Sequence, residues 1–246
     1  MRSVLLWVAL AGCWRAPTKP QAPVDAAAAQ PKHVALRAGP LLGIPGESME
    51  YKVSLRGFTL GNVVVAVGQI GEVEGHRALV VRSRAVGSGA FALFSELTWE
   101  LKTTLDLDAG EAVADEETAD VELVVGHKEH VHHERTLIGT EAYNLHSAAG
   151  LLRAWRSNIG DRGAIDVWIS DGTIDVELTD AARERIGDMP AARYDGTALD
   201  KKYKVSIWIS DDESRVPLKM VSQTKWGELT VEMVSYDVAG EKLVNR

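Results

Sequence analysis

The sequence predicts a mainly β protein: a large antiparallel curved sheet or barrel-like shell of about a dozen strands with one short helix. Three observations predict it. After Gly46 the chain alternates apolar and polar residues in short runs, the period of a half-buried strand. Glycine- or aspartate-containing breaks separate those runs. Only the stretch 148–157 spaces its apolar residues as a helix does. A sheet of so many strands curls or closes instead of staying flat.

Composition agrees with one folded body. The 246 residues are 46% hydrophobic and 25% charged, the make-up of a globular chain. A net charge of −8 would repel a phosphate backbone, and no Lys/Arg stripe offsets it, so no nucleic-acid partner is expected. The protein has one cysteine, so it forms no internal disulfide. Cys13 follows Leu10-Ala11-Gly12, behind Arg2 and the apolar run Val4–Leu10. That order is an export signal, and its apolar run is far shorter than the roughly 20 residues a spanning helix needs. L-A-G-C resembles a bacterial lipobox, which implies cleavage before Cys13 and a diacylglyceryl group on its sulfur. The expected organisation is a signal peptide over 1–12, a lipidated Cys13 with a tether over 13–45, and one β-rich domain over 46–246. The tether holds six of the eight prolines, which favour extended chain. Trp14 after the cysteine, where aspartate is absent, points to an outer-membrane anchor facing the periplasm.

The elements follow in order. Tyr51, Val53 and Leu55 share one face of a first strand, and Gly57–Gly61 turns the chain into Val63–Val67. A strand over about 77–86 and a glycine break (Gly87, Gly89) lead to Phe91 and Phe94. Alternation over 96–107 puts Leu97, Trp99 and Leu101 together, and 121–137 completes a first sheet. Leu151, Leu152 and Trp155 mark the helix, with Arg153 and Arg156 in its last turns and His146-Ser147 as its cap. Strands 164–170 and 173–178 flank Asp171-Gly172, a hairpin signal. Tyr203–Ser210 alternates over eight residues and breaks at Asp211-Asp212-Glu213-Ser214. Val216–Lys225, the turn at Trp226-Gly227 and Leu229–Met233 close a meander.

Several of these segments together resemble the family of secreted bacterial proteins called domain-of-unknown-function family 3108. P-G-E-S-M-E-Y-K-V-S-L-R-G-F-T-L-G-N-V-V-V (45–65) is similar to its opening G-E-x-L-x-Y-x-V pattern. G-A-F-A-L-F (89–94) is similar to its G-F-F-S-L-F segment, and L-L-R-A-W-R falls where members carry a short helix ending in Leu-Arg. I-W-I-S-D-D-E-S-R-V-P-L-K-M (207–220) matches W-L-S-D-D-x-x-R-x-P-V-K most closely. The resemblance spans roughly 46–238 and implies export and a β-rich fold. It carries no catalytic residue.

The candidate chemistry is sparse. In G-H-K-E-H-V-H-H-E, His130 and His132 share a strand face, so with Glu129 or Glu134 they are candidate ligands for Zn²⁺ or Cu²⁺. A metal-dependent periplasmic enzyme built on His127–His133 is the alternative reading, weighed against a solvated strand. No nucleophile elbow or phosphate loop is present, and Glu116-Glu117 reads as solvated loop charge. Phe91, Phe94, Trp99, Trp155 and Trp208 are candidate liners of a hydrophobic cavity inside the curved sheet, weighed against plain core. Asp211, Asp212, Arg215 and Pro217 read as a structural turn: carboxylates accepting backbone amides, Arg215 bridging back to one of them, Pro217 at an edge or bulge. The expected protein is a monomeric, non-enzymatic envelope lipoprotein without a cofactor. Its partners are the membrane through its anchor, and a lipid or an envelope protein.

Overall fold

The computed structural model describes residues 41, 43–73, 75–89, 92, 95–123, 126, 128–137, 143–169, 172–198, 203–238 and 241–244. The signal, Cys13, Phe91, Phe94 and His127 lie outside them. In chain order the strands are β1 (Glu47–Leu55), β2 (Phe58–Val73), β3 (His76–Gly87), β4 (Ser95–Asp106), β5 (Glu111–Leu123) and β6 (Lys128–Thr136). Helix α1 (Leu145–Ala154) follows, then β7 (Arg162–Ile169), β8 (Gly172–Ile186), β9 (Met189–Ala198), β10 (Tyr203–Ser210), β11 (Pro217–Thr224), β12 (Gly227–Val238) and β13 (Glu241–Val244).

The strands form one antiparallel sheet in the order β6-β5-β4-β3-β2-β1-β12-β11-β10-β9-β8-β7, with β13 on β12. Two six-stranded meanders therefore meet where β1 pairs β12, from Glu47↔Val238 to Leu55↔Leu229. Register shifts interrupt the pairing at Glu50/Tyr51, Val67/Ile70, Thr104/Leu105, Asp180/Ala182 and Trp208/Ile209. Each extra residue bends and twists its strand, and together they curl the sheet. The sheet does not close by a β6–β7 ladder. Tyr143 bridges to Val167 instead, donating its amide to Asp166 O and accepting from Trp168 N.

Alternation selects the concave face. Met49, Tyr51 and Val53 of β1 are buried, as are Leu79, Val81 and Ala85 of β3 and Trp99, Leu101 and Leu105 of β4. Helix α1 packs on this face. Leu151 joins Val67, Leu79, Leu105 and Ile165, while Leu152 joins Leu178, Ala192, Tyr194 and Ile209. One helix thus buries its apolar stripe against both meanders.

Four expectations need correction. The helix runs over 145–154, and its N-cap is Asn144, whose side chain accepts from Ser147 N at 3.0 Å, in place of His146-Ser147. Strand β5 begins at Glu111, in what read as loop. Its inward positions are Asp115, Glu117 and Ala119, so apolar alternation is missing although the strand is present. Strand β9 was missed because M-P-A-A-R-Y-D-G-T-A has few β formers. It pairs tightly with β8 because Gly196 has no side chain: a Cβ there would lie 2.1 Å from Glu177 O. Finally Leu41, assigned to the tether, is buried in the core beside Leu79.

Candidate functional site

The concave face holds charge as well as hydrocarbon, and that charge defines the candidate site. Glu47 opens β1 pointing inward, and Arg153 lies in the last turn of α1. Their side chains are 0% and 4% exposed and paired through two hydrogen bonds. Burying two ions costs several kcal/mol each, which only full pairing offsets. Here it is nearly full. Glu47 also accepts from Ile44 N and from the Tyr236 hydroxyl, and Arg153 also donates to the carbonyls of Arg215 and Ser214. Burial and the Glu47 carboxylate push the Tyr236 phenol up to about 12. Burial raises the Tyr51 phenol further, and its hydroxyl donates to Pro217 O.

The turn 211–216 completes the cluster. One oxygen of Asp212 accepts from the hydroxyls of Ser210 and Ser214 and from Arg215 N. Burial alone would raise this carboxyl, but those hydrogen bonds outweigh it and hold it below the usual carboxylate range. Arg215 adopts φ 49°, a left-handed conformation uncommon outside glycine. It reaches back to Asp211 at 3.9 Å, the ion pair expected of the turn, but its hydrogen bonds lie elsewhere. Its guanidinium goes inward, donating to the carbonyls of Arg153 and Trp155 at the end of α1 and to the Tyr194 hydroxyl. A cation thus meets the free carbonyls at a helix C-terminus. Pro217 begins β11 at the register shift, where no ladder amide is needed.

A second network fixes the start of α1. The buried ring of His146 lies between two hydroxyls, Ser83 Oγ at 2.7 Å from Nε2 and Thr103 Oγ1 at 2.7 Å from Nδ1. Asn144 donates to Thr103 Oγ1 and to Asp115. Asp115 and Glu117 accept from Arg135, and Glu117 accepts from Trp99 Nε1. Burial lowers the His146 pKa to about 4, so the ring is neutral at physiological pH. A serine beside an imidazole invites a nucleophilic reading. Yet the distal nitrogen meets a hydroxyl where a triad has a carboxylate, and both side chains are buried.

The aromatic candidates among the described residues each have partners of their own. Trp99 sits in the central core, and Trp155 packs on Tyr194 with centroids 5.2 Å apart. Trp208 donates to Glu184 with Lys219 over its ring. The histidines are separated likewise. His130 pairs with Asp120 at 2.7 Å, whereas His132 contacts Glu134 at 3.3 Å and Thr118 at 3.2 Å. The ligand atoms that gather are those of Glu116, His132 and Glu134, and of His76, Asp106 and Asp108. Lys102 already lies 3.3 Å from Glu116, and Asp106 already accepts two backbone amides of its own turn. Glu117, read from sequence as solvated, is buried. An open cleft of about 550 Å³ near the β3–β4 connection is lined by Ser95, Leu97, Val121, Glu129 and His130 among others.

Comparison with known proteins adds family and fold. The profile of the family described as "Protein of unknown function (DUF3108)" matches residues 50–234. No curated protein matches the sequence. The fold is similar to a β-barrel-like protein of domain of unknown function DUF1849 from Brucella abortus. That likeness has a TM-score of 0.53 and 10% identity, covering 80% of this chain and 100% of that one. Weaker likenesses have a TM-score of 0.37 and 9% identity. One is to a protein of Parabacteroides distasonis provisionally described as a lipoprotein (79% of this chain, 96% of that one). The other is to a Bacteroides fragilis protein described as having a YmcC-like fold (78% and 96%). The segments that carry the family resemblance meet in space: Glu47 of P-G-E, Arg153 of L-L-R and Arg215 of S-D-D-E-S-R form the buried cluster, with the exposed Asp212 holding the turn at its rim.

Proposed function

The chain belongs to the DUF3108 family of proteins of unknown function, and from that premise we propose that it is a lipid-anchored, non-enzymatic protein of the cell envelope that acts by binding a protein partner on the outer surface of its filled β body. One observation carries the choice of the outer surface. Helix α1 occupies the concave face, with Leu151 and Leu152 packed there and Arg153 bonded to Glu47. A lipid seated in that place would have to displace a paired, buried arginine. The motif segments supply side chains that pin the helix, so their chemistry is spent on the fold.

The anchor reading rests on L-A-G-C ending at Cys13. Two or three acyl chains hold a protein on a bilayer, each methylene contributing about 0.8 kcal/mol. Leu41 is buried with the core, and the proline-rich sequence between Cys13 and Leu41 supplies the tether. Fractionation of cells expressing Cys13→Ser tests the anchor: the variant is released with the soluble envelope fraction. Native mass spectrometry tests the filled interior, and stoichiometric co-purifying lipid overturns it.

A further inference from the structure

We infer that β6 is a self-pairing edge: two copies of this chain join their sheets by antiparallel addition of β6 to β6, centred on Val131. This names one partner for the outer surface proposed above, and it holds whether or not Cys13 is acylated.

Strand β6 ends the sheet, and among the described residues no strand pairs with its outer side. Most of its residues are exposed. An unpaired edge is a template for another strand, and proteins usually guard it with charge. This edge is charged, but with alternating sign, K-E-H-V-H-H-E-R-T. Such a guard does not repel its own copy. In an antiparallel pair centred on Val131, Lys128 faces Glu134 of the second copy, Glu129 faces its His133, and His130 faces its His132. The two-fold axis repeats each pair. Centring on His132 would require Arg135, which is already committed: it pairs with Asp115 and Glu117, and its guanidinium lies 3.9 Å over Trp168 of β7. The free length of the edge is therefore 128–134.

The existing side-chain rows favour the same register. Glu116 and Glu134 lie directly opposite each other on β5 and β6, a like-charge pair that destabilises a sheet. Lys102 lies beside Glu116, whereas Glu134 has His132 at 3.3 Å and, among the described residues, no lysine or arginine ion pair. At the other end of the strand, Lys128 bonds Glu122 on β5. Self-pairing sets that lysine opposite the second copy's Glu134. The row Lys102–Glu116–Glu134 of one copy then continues into Lys128–Glu122 of the other, and a cation reaches each side of the carboxylate pair.

Four substitutions in the full chain carrying Cys13→Ser test this, because that background holds no other thiol. Opposed residues of an antiparallel pair have Cα atoms about 4.5–5.5 Å apart, within the span of a disulfide. Under mild oxidation Val131→Cys is expected to give a covalent dimer. His133→Cys, about 14 Å from its own copy in this register, stays monomeric. In sedimentation equilibrium Lys128→Glu weakens the dimer roughly tenfold, and the swap Lys128→Glu with Glu134→Lys restores it. All positions are exposed or half-buried, so circular dichroism should report an unchanged fold. A monomeric parent at every concentration, equal cross-linking at 131 and 133, or a swap that fails to restore association overturns the proposal.

Discussion

The two meanders meet twice, and the two junctions are built differently. At β1·β12 the backbones pair over the whole of β1. Among the described residues no ladder joins β6 to β7. The gap is spanned by the Tyr143 bridge, by Arg135 stacked on Trp168, and by α1 reaching both sides. A ladder needs only strands of matching register. A side-chain seam needs particular residues, and the helix that reaches across it is itself fixed by buried groups elsewhere on the sheet: Arg153 on Glu47 of β1, and His146 between Ser83 of β3 and Thr103 of β4. The body thus owes its shape at one junction to backbone geometry and at the other to side chains that reach across it.

The largest test of that contrast removes the charge that fastens the bridging helix to β1. Arg153→Met leaves Glu47 buried and unpaired, and the expected loss is about 3–5 kcal/mol in urea unfolding. The double variant Glu47→Gln, Arg153→Met should recover more than half of that loss, because no ion is then left unmatched. Failure to recover would mean the pair positions α1 through geometry that an apolar side chain cannot reproduce.

Next comes pH. His146 stays neutral in the folded protein down to about pH 4, while the unfolded chain takes up a proton near 6.5. The unfolded state binds more protons between those values, so stability falls as pH falls through that window and levels off below it. The expected loss is about 3 kcal/mol over the whole window, beyond what the carboxylates contribute. His146→Gln can keep hydrogen bonds to Ser83 and Thr103 without titrating, so this part of the slope should disappear from its unfolding curves.

These residues also mark the limit of what the sequence makes legible. The open face of β1, the alternation of β4 and β10, and the turn at Asp211–Ser214 are visible because apolar period and turn chemistry are local. Strand β5 is hidden because its inward residues, Asp115 and Glu117, are acidic, and their partners Arg135 and Trp99 lie on other strands. His146 reads as a cap from its position before an apolar run. Its real partners, Ser83 and Thr103, are 63 and 43 residues away. Arg215 is legible in part: its ion pair with Asp211 is local to the turn, but its hydrogen bonds to the end of α1 and to Tyr194 are not. The one sequence feature that marked the cluster was the resemblance itself, since its segments held Glu47, Arg153 and Arg215.

A smaller effect is expected where the seam is nearest solvent. Trp168→Leu keeps an apolar side chain on β7 but removes the ring beneath Arg135. A partly desolvated cation–π contact contributes about 1 kcal/mol, and Arg135 keeps its two carboxylates. Global unfolding should move by about that amount. The sharper readout is hydrogen exchange: amides of β7 should exchange faster in the variant, while those of β1 stay unchanged. Equal acceleration in both strands would show the two junctions opening as one unit.

The smallest effect belongs to the histidine edge. His130→Ala and His132→Ala each remove an exposed contact, to Asp120 and to Glu134. Exposed pairs of this kind contribute about 0–1 kcal/mol, so monomer stability should shift by no more than roughly 0.5 kcal/mol. The comparison with Arg153 is the point of the measurement. Both sites pair a base with a carboxylate. Only burial separates them, and burial turns a near-neutral contact into one whose loss unfolds the seam. A large loss of stability from either histidine variant would place β6 inside a larger buried contact and remove it as a free edge.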